Sequence, residues 1–192
     1  MANVKPYEIV AGPARVYVAP TGTAFPNVSD SESSFGTQWI RLGQTEGGVK
    51  AAHGQTIVEL RTDQTTAPVK AIRSEETLEV TFSLAELTLE HYAVALNRAL
   101  EGPTVGGSDK SVQLYRGGFQ VETLALFVRG DHLSPYGDKN LQYEVPVAFQ
   151  AGDPETEYVR DNKAVLACSF HVIADPDRVD DDDAFGVLRA GT

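Results

Sequence analysis

Little in this sequence can form a covalent staple or a membrane span. Cysteine occurs once, at Cys168, which excludes an internal disulfide and gives no support to a secreted, cross-linked scaffold. No apolar run approaches the ~18 residues that a transmembrane helix requires. The opening MANVKPYEIV has no apolar signal segment. The expectation is a soluble chain made in the cytosol, without membrane insertion. Bases are also scarce: 16 Lys and Arg against 27 Asp and Glu give a formal charge of −11. They are scattered singly, whereas a protein that grips nucleic acid needs them clustered. Tight DNA binding is therefore disfavoured. An acidic surface suits solubility and also repels phosphate.

Catalytic and ligand motifs are missing as well. "GPTVGGSDKS" has glycines, but Lys110-Ser111 follow Gly107 two residues too late for a phosphate loop, and after a helix signal instead of before one. The acids Asp175, Asp177 and Asp180 to Asp183 do not fit a calcium loop that starts at Asp175. Position five is Val179, position six is Asp180 instead of Gly, and position twelve is Gly186 instead of Glu. His53, His91, His132 and His171 are far apart, with no second ligand at metal spacing. His91 and His171 lie off the apolar faces of their segments and read as surface or interface residues. Cys168 alternates with apolar neighbours and reads as a small buried hydrophobe. No serine sits in a G-x-S-x-G turn, and Asn27-Val28-Ser29 is a glycosylation acceptor only in a secreted chain. The expectation is no enzyme, no cofactor and no metal.

Apolar alternation, the mark of a half-buried strand, is abundant. In "EETLEVTFSLAELTLEHYAVAL" Leu78, Val80, Phe82 and Leu84 share one face, with Glu79, Thr81, Ser83 and Ala85 opposite. "LQYEVPVAF" sets Leu141, Tyr143, Val145, Val147 and Phe149 against Gln142, Glu144, Pro146 and Ala148. Leu166, Cys168, Phe170 and Val172 form a third such face. Shorter candidates are 15–19, 39–42, 56–62, 112–115 and 121–128, with a hairpin turn at Gly117-Gly118. Proline cannot donate to a ladder, so Pro146 predicts an edge strand or a bulge, and an edge invites a partner.

One helix is predicted. Leu89, Tyr92, Ala93, Leu96 and Leu100 make its stripe, Thr88 its N-cap, and Gly102-Pro103 its stop. Residues 20–36 form a long polar loop of a length that is functional or disordered in compact domains. Residues 175–192 read as an acidic extended arm. With no repeat or linker, the chain reads as a single domain over 1–192. Its fold class is mainly β: an antiparallel sandwich or barrel with one flanking helix.

Taken whole, 45–97 carries a further signal: "TEGGVK", the strand "TIVEL", "DQTTAPV" with its Pro68, and "ETLEVTFSLAELTLE" leading into the helix. This stretch resembles the tail tube (major tail) proteins of tailed bacteriophages. The resemblance implies a β sandwich with a flanking helix that assembles into hexameric rings, stacked into a tube for genome delivery. It implies a virion component assembled in the host cytoplasm. Its partners would be further copies of itself and other tail proteins (tape measure, tail tip, terminator), with DNA only in transit. It makes Glu79, Thr81, Gln142 and Glu144 candidate lumen-facing residues, since they oppose strong apolar faces. Phe25, Phe35, Pro146, Asp180 and Phe185 become candidate contacts between subunits or rings, with the long loop and the C-terminal arm ordering on assembly. A terminator, neck or secretion-tube ring is the alternative within assembly proteins. A glycan-binding module is the alternative outside them, weakened by the single Trp39 lying in a strand pattern.

Overall fold

Alternating segments become strands where one of their faces can meet the core. The computed structural model describes residues 8–98, 103–116, 118–178 and 183–192. Its strands are β1 (Arg15–Pro20), β2 (Ile40–Arg41), β3 (Thr45–Leu60), β4 (Lys70–Leu84), β5 (Thr104–Gly106), β6 (Asp109–Ser111), β7 (Leu124–Gly130), β8 (Leu141–Gln150), β9 (Leu166–Val172) and β10 (Val187–Ala190). The helix α1 (Leu89–Ala95) follows β4. The main sheet is antiparallel, in the order β2-β1-β7-β8-β9-β4-β3, with β10 added beside β8. Strands β5 and β6 form a separate hairpin.

Val16 and Val18 of β1 share one core with Leu78, Val80, Phe82 and Leu84 of β4. Leu126 of β7, Phe170 of β9, and Val94 and Ala95 of α1 belong to the same core. Strands far apart in the sheet order thus face each other, so the sheet curls around its own apolar side. Phe82 and Phe170 stack there at 5.8 Å. The reverse side of β1 and β7 is covered too, by residues 20–42. Tyr17 and Phe127 stack at 4.5 Å, and Phe35 and Trp39 meet Phe127 edge-on at 5.5 and 4.6 Å. Every residue of β7 is consequently buried, which explains the nearly unbroken apolar run LALFV. Each such large side chain contributes ~1.5–3 kcal/mol on burial.

The structure corrects several expectations. Strand β8 is not an edge: it pairs with β7 on one side and with β10 and β9 on the other. The bulge does occur. Between the Leu126↔Val145 and Leu124↔Ala148 pairs β8 carries one extra residue, so Pro146 falls where the ladder is already interrupted. On the far side β10 pairs only up to Glu144 and β9 only from Ala148. No ladder asks Pro146 for the N–H it lacks.

Val187–Ala190 of the C-terminal arm pack as β10, and the long loop folds onto its own subunit. Segment 112–115 is not a strand. Its neighbours 104–106 and 109–111, expected to be turn, form the β5–β6 hairpin around Gly107 (φ 64°). The Gly117-Gly118 turn falls partly outside the described residues.

Thr88 caps α1, its hydroxyl accepting the His91 N–H at 3.2 Å, but the helix stops at Ala95. Asn97 turns the backbone left-handed (φ 57°). Its side-chain amide bonds the Gln150 backbone both ways, at 2.7 and 2.8 Å. The rest of the expected helix, residues 99–102, lies outside the described residues. The stripe is rotated as well: Leu89 is 36 % exposed and His91 is buried, its Nδ1 bonding the Glu86 carbonyl at 2.9 Å.

Candidate assembly interface

At 16 and 15 residues, β3 and β4 are longer than the other strands of the described residues. Near its base Leu78, Val80, Phe82 and Leu84 are buried, whereas the last eight residues of β3 and the first eight of β4 are all exposed. That distal ladder spans roughly 25 Å. Opposed residues in an antiparallel pair share a face. Val58↔Ile72 and Leu60↔Lys70 therefore put Val58, Leu60 and Ile72 together, each 42–44 % exposed. The other face carries Gln55, Arg73 and Glu76, with Arg73 Nε donating to Gln55 Oε1 at 3.0 Å. Glu59 and Arg61 pair at 3.2 Å. A two-stranded hairpin with no third layer is marginal alone, and no layer among the described residues covers its apolar face.

The second surface is the side of β3, β4 and β9 turned away from the core. Register places Ala52, Glu79 and His171 in one row, and Lys50, Thr81 and Ser169 in the next. Ser169 donates to Glu79 Oε1 at 2.6 Å, and His171 Nε2 lies 3.6 Å from the same oxygen. Thr81 and Ser83 border a ≈ 500 Å³ hollow together with Lys50, Glu46 and Asp153. Lys163 pairs with Glu46 at 2.5 Å. Glu79 and Thr81 thus lie half-exposed on a polar face of small side chains and mixed charge.

Gln142 and Glu144 are elsewhere, and neither faces solvent. They are 0 % and 6 % exposed, because the long loop and β10 cover that side of β8. Gln142 Nε2 donates to the Pro26 carbonyl and to Glu144 Oε1, each at 2.9 Å. Arg189 Nε on β10 bonds both Glu144 oxygens at 3.0 Å. The guanidinium of Arg129 donates to the carbonyls of Asn27 (3.4 Å), Val28 (2.6 Å) and Asp30. Burial pulls Arg129 below its usual pKa range, against the opposing charge of Asp131.

Most residues expected between subunits are spent inside one. Phe25 packs on Trp39 at 5.3 Å, and Phe35 meets Tyr17 at 5.3 Å. Phe185 packs against the main core, Pro146 is buried in β8, and Asp180 lies outside the described residues. Aromatics in a polar loop read as exposed when the surface that buries them is far off in sequence. The arm's apolar face was missed for the converse reason: "TIVEL" reads as a strand, and nothing local reveals that no layer covers it.

Cys168 is buried, which pushes its thiol up to about 12. Among the described residues no group of three or more His, Cys, Asp or Glu could hold a metal ion. No helix among them is long and apolar enough to cross a membrane.

A family model described as phage tail tube protein matches residues 1–177. No curated protein matches. Among the solved structures that are similar, two share 13 % identity with this chain. One is the sheath–tube complex of an extracellular contractile injection system in its extended state (99 % of this chain, 93 % of that chain, TM-score 0.43). The other is an Hcp protein (84 % of this chain, 89 % of that chain, TM-score 0.32).

Proposed function

Since this chain belongs to the phage tail tube protein family, and so to the structural part of a virion tail, we propose that six copies close into a ring. Such rings stack into the tube through which the genome passes. The observation that carries this reading is the β3–β4 arm, an exposed hairpin with an apolar face formed by Val58, Leu60 and Ile72. Apolar surface on a projecting hairpin is what a self-assembling subunit buries against the next copy. The polar side of β3, β4 and β9 supports the channel half of the proposal. Its lysines are few, and Lys163 is neutralised by Glu46, so phosphate finds no cluster to grip.

Negative-stain electron microscopy over a concentration series tests this. The wild-type protein is expected to give hollow tubes of constant width. The Val58→Asp, Leu60→Asp double variant should remain folded, because both sites are exposed, and give none. Single rings from the wild type would favour a terminator or neck role. Tubes from the double variant would remove the arm from the contact.

A further inference from the structure

Residues 103–116 and 118–121 carry large apolar side chains that are mostly exposed. Phe119 is 104 % exposed, Leu114 73 %, Tyr115 68 % and Val105 66 %. This flap is not loose, however. Lys110 pairs with Glu90 of α1 at 2.9 Å. Arg98 donates to the Tyr115 carbonyl at 2.8 Å, and Arg116 to the Gly152 carbonyl at 3.1 Å. These anchors hold the flap beside one end of the β7–β8 pair, where Leu124 lies opposite Ala148.

At the other end of the same pair, where Gly130 lies opposite Leu141, the curled sheet leaves a groove of ≈ 170 Å³. Ala14, Val49, Ala51, Val128, Leu133 and Tyr143 line it, and no charged residue does. Leu133 occupies the space that side chains on Gly12 and Gly130 would need, so the glycines let it form part of the wall. The volume suits one aromatic ring: an apolar cavity of about 150 Å³ accepts benzene.

We propose that the flap of one copy inserts Phe119 into this groove of the next copy, with Leu114 and Tyr115 covering the rim. The inference rests on the self-assembly reading above and assigns it a second, separate contact. Knob and hole lie at opposite ends of β7, roughly 20 Å apart along the strand. One subunit therefore cannot satisfy itself, and a two-fold dimer is not required. Such a heterologous contact propagates from copy to copy, closing into a ring or continuing as a filament. An aromatic anchor in a desolvated pocket is also the usual seat of interface energy.

The test is a Gln120→Cys, Ala14→Cys double variant of the full chain, which keeps Phe119 and uses its exposed neighbour, oxidised mildly under tube-forming conditions and run on a non-reducing gel. Cys168 remains silent because it is buried, and the wild type and each single variant serve as controls. The expected result is a ladder extending beyond dimers in the double variant only. Tubes without cross-links would overturn the Phe119 contact and leave the tube reading intact, giving the flap to another tail protein. Cross-links that stop at dimers would overturn the head-to-tail geometry. Absence of both polymer and cross-links would overturn the two readings together. Phe119→Asp gives an independent measurement: a residue without neighbours leaves thermal unfolding unchanged, while the critical concentration for polymer rises at least about tenfold. An unchanged critical concentration overturns the proposal.

Discussion

Arg129 shows how a single side chain decides what this subunit exposes. It lies on β7 at 3 % side-chain exposure, and its guanidinium donates to Gln142 Oε1 on β8 and to three loop carbonyls. Truncating it takes the guanidinium away from three carbonyls, of which Asn27 and Val28 keep the Asp30 N–H and Asn140 Nδ2 as donors, and opens a void under the loop. Arg129→Ala is expected to cost about 3 kcal/mol, in the range for removing one partner of a buried charged network. For a chain of this size that is roughly 10 °C in melting temperature. The loss should be accompanied by faster amide exchange across residues 25–30. Arg129→Lys is expected to recover only part of it, because an ammonium cannot span three carbonyls as a guanidinium does. Calorimetry and hydrogen exchange on both variants check this.

At the scale of elements, β10 is a structural strand, although it was expected to be a free arm. Ending the chain before Val187 would remove Arg189 from Glu144 and strip the β8 ladder over residues 141–144. The expected outcome is a lower melting temperature and self-association through the bared edge. A folded monomer that merely fails to polymerise is not expected. Size-exclusion chromatography with thermal unfolding separates the two.

The same scale shows what could be read from the sequence. The second half of β4 and strand β9 were legible because each has one face on a single core, which forces a period of two; β8 keeps its expected face only as far as Val145, since the bulge then turns Ala148, and not Val147 or Phe149, to the core. Their partners were not, since pairing is set by residues far away in the chain, and so β8 looked like an edge. The β5–β6 hairpin is exposed on both sides and shows no period at all. Of the site, the polar rows through Glu79 and Thr81 were visible as the reverse of an apolar face. Gln142 and Glu144 follow the same alternation, yet a loop from the other end of the chain lies over them. Local pattern tells which way a side chain points, but not whether something waits there.

At the scale of the whole molecule, the proposed channel surface should owe its slipperiness to the composition of one sheet face. Making that face basic with Glu79→Lys and Thr81→Lys is expected to leave tubes intact and make them retain DNA. Retention should be strong at about 50 mM salt and weak at about 200 mM, as counterion release requires. Co-sedimentation of DNA with tubes at the two salt concentrations checks it, and equal retention by wild type and variant would count against this face lining the channel.

The sheet order also governs when each part of the chain can fold. Strands β3 and β4 are neighbours in sequence, joined across residues 61–69, so their partners meet early. Strand β1 waits for β7, and its first pair joins Arg15 to Arg129. Non-local pairing of this kind slows folding. A nascent subunit thus spends time with a marginally paired arm and an unfinished body. Its adhesive element is made before the structure meant to hold it, and premature encounters between growing chains become the kinetic hazard of this topology.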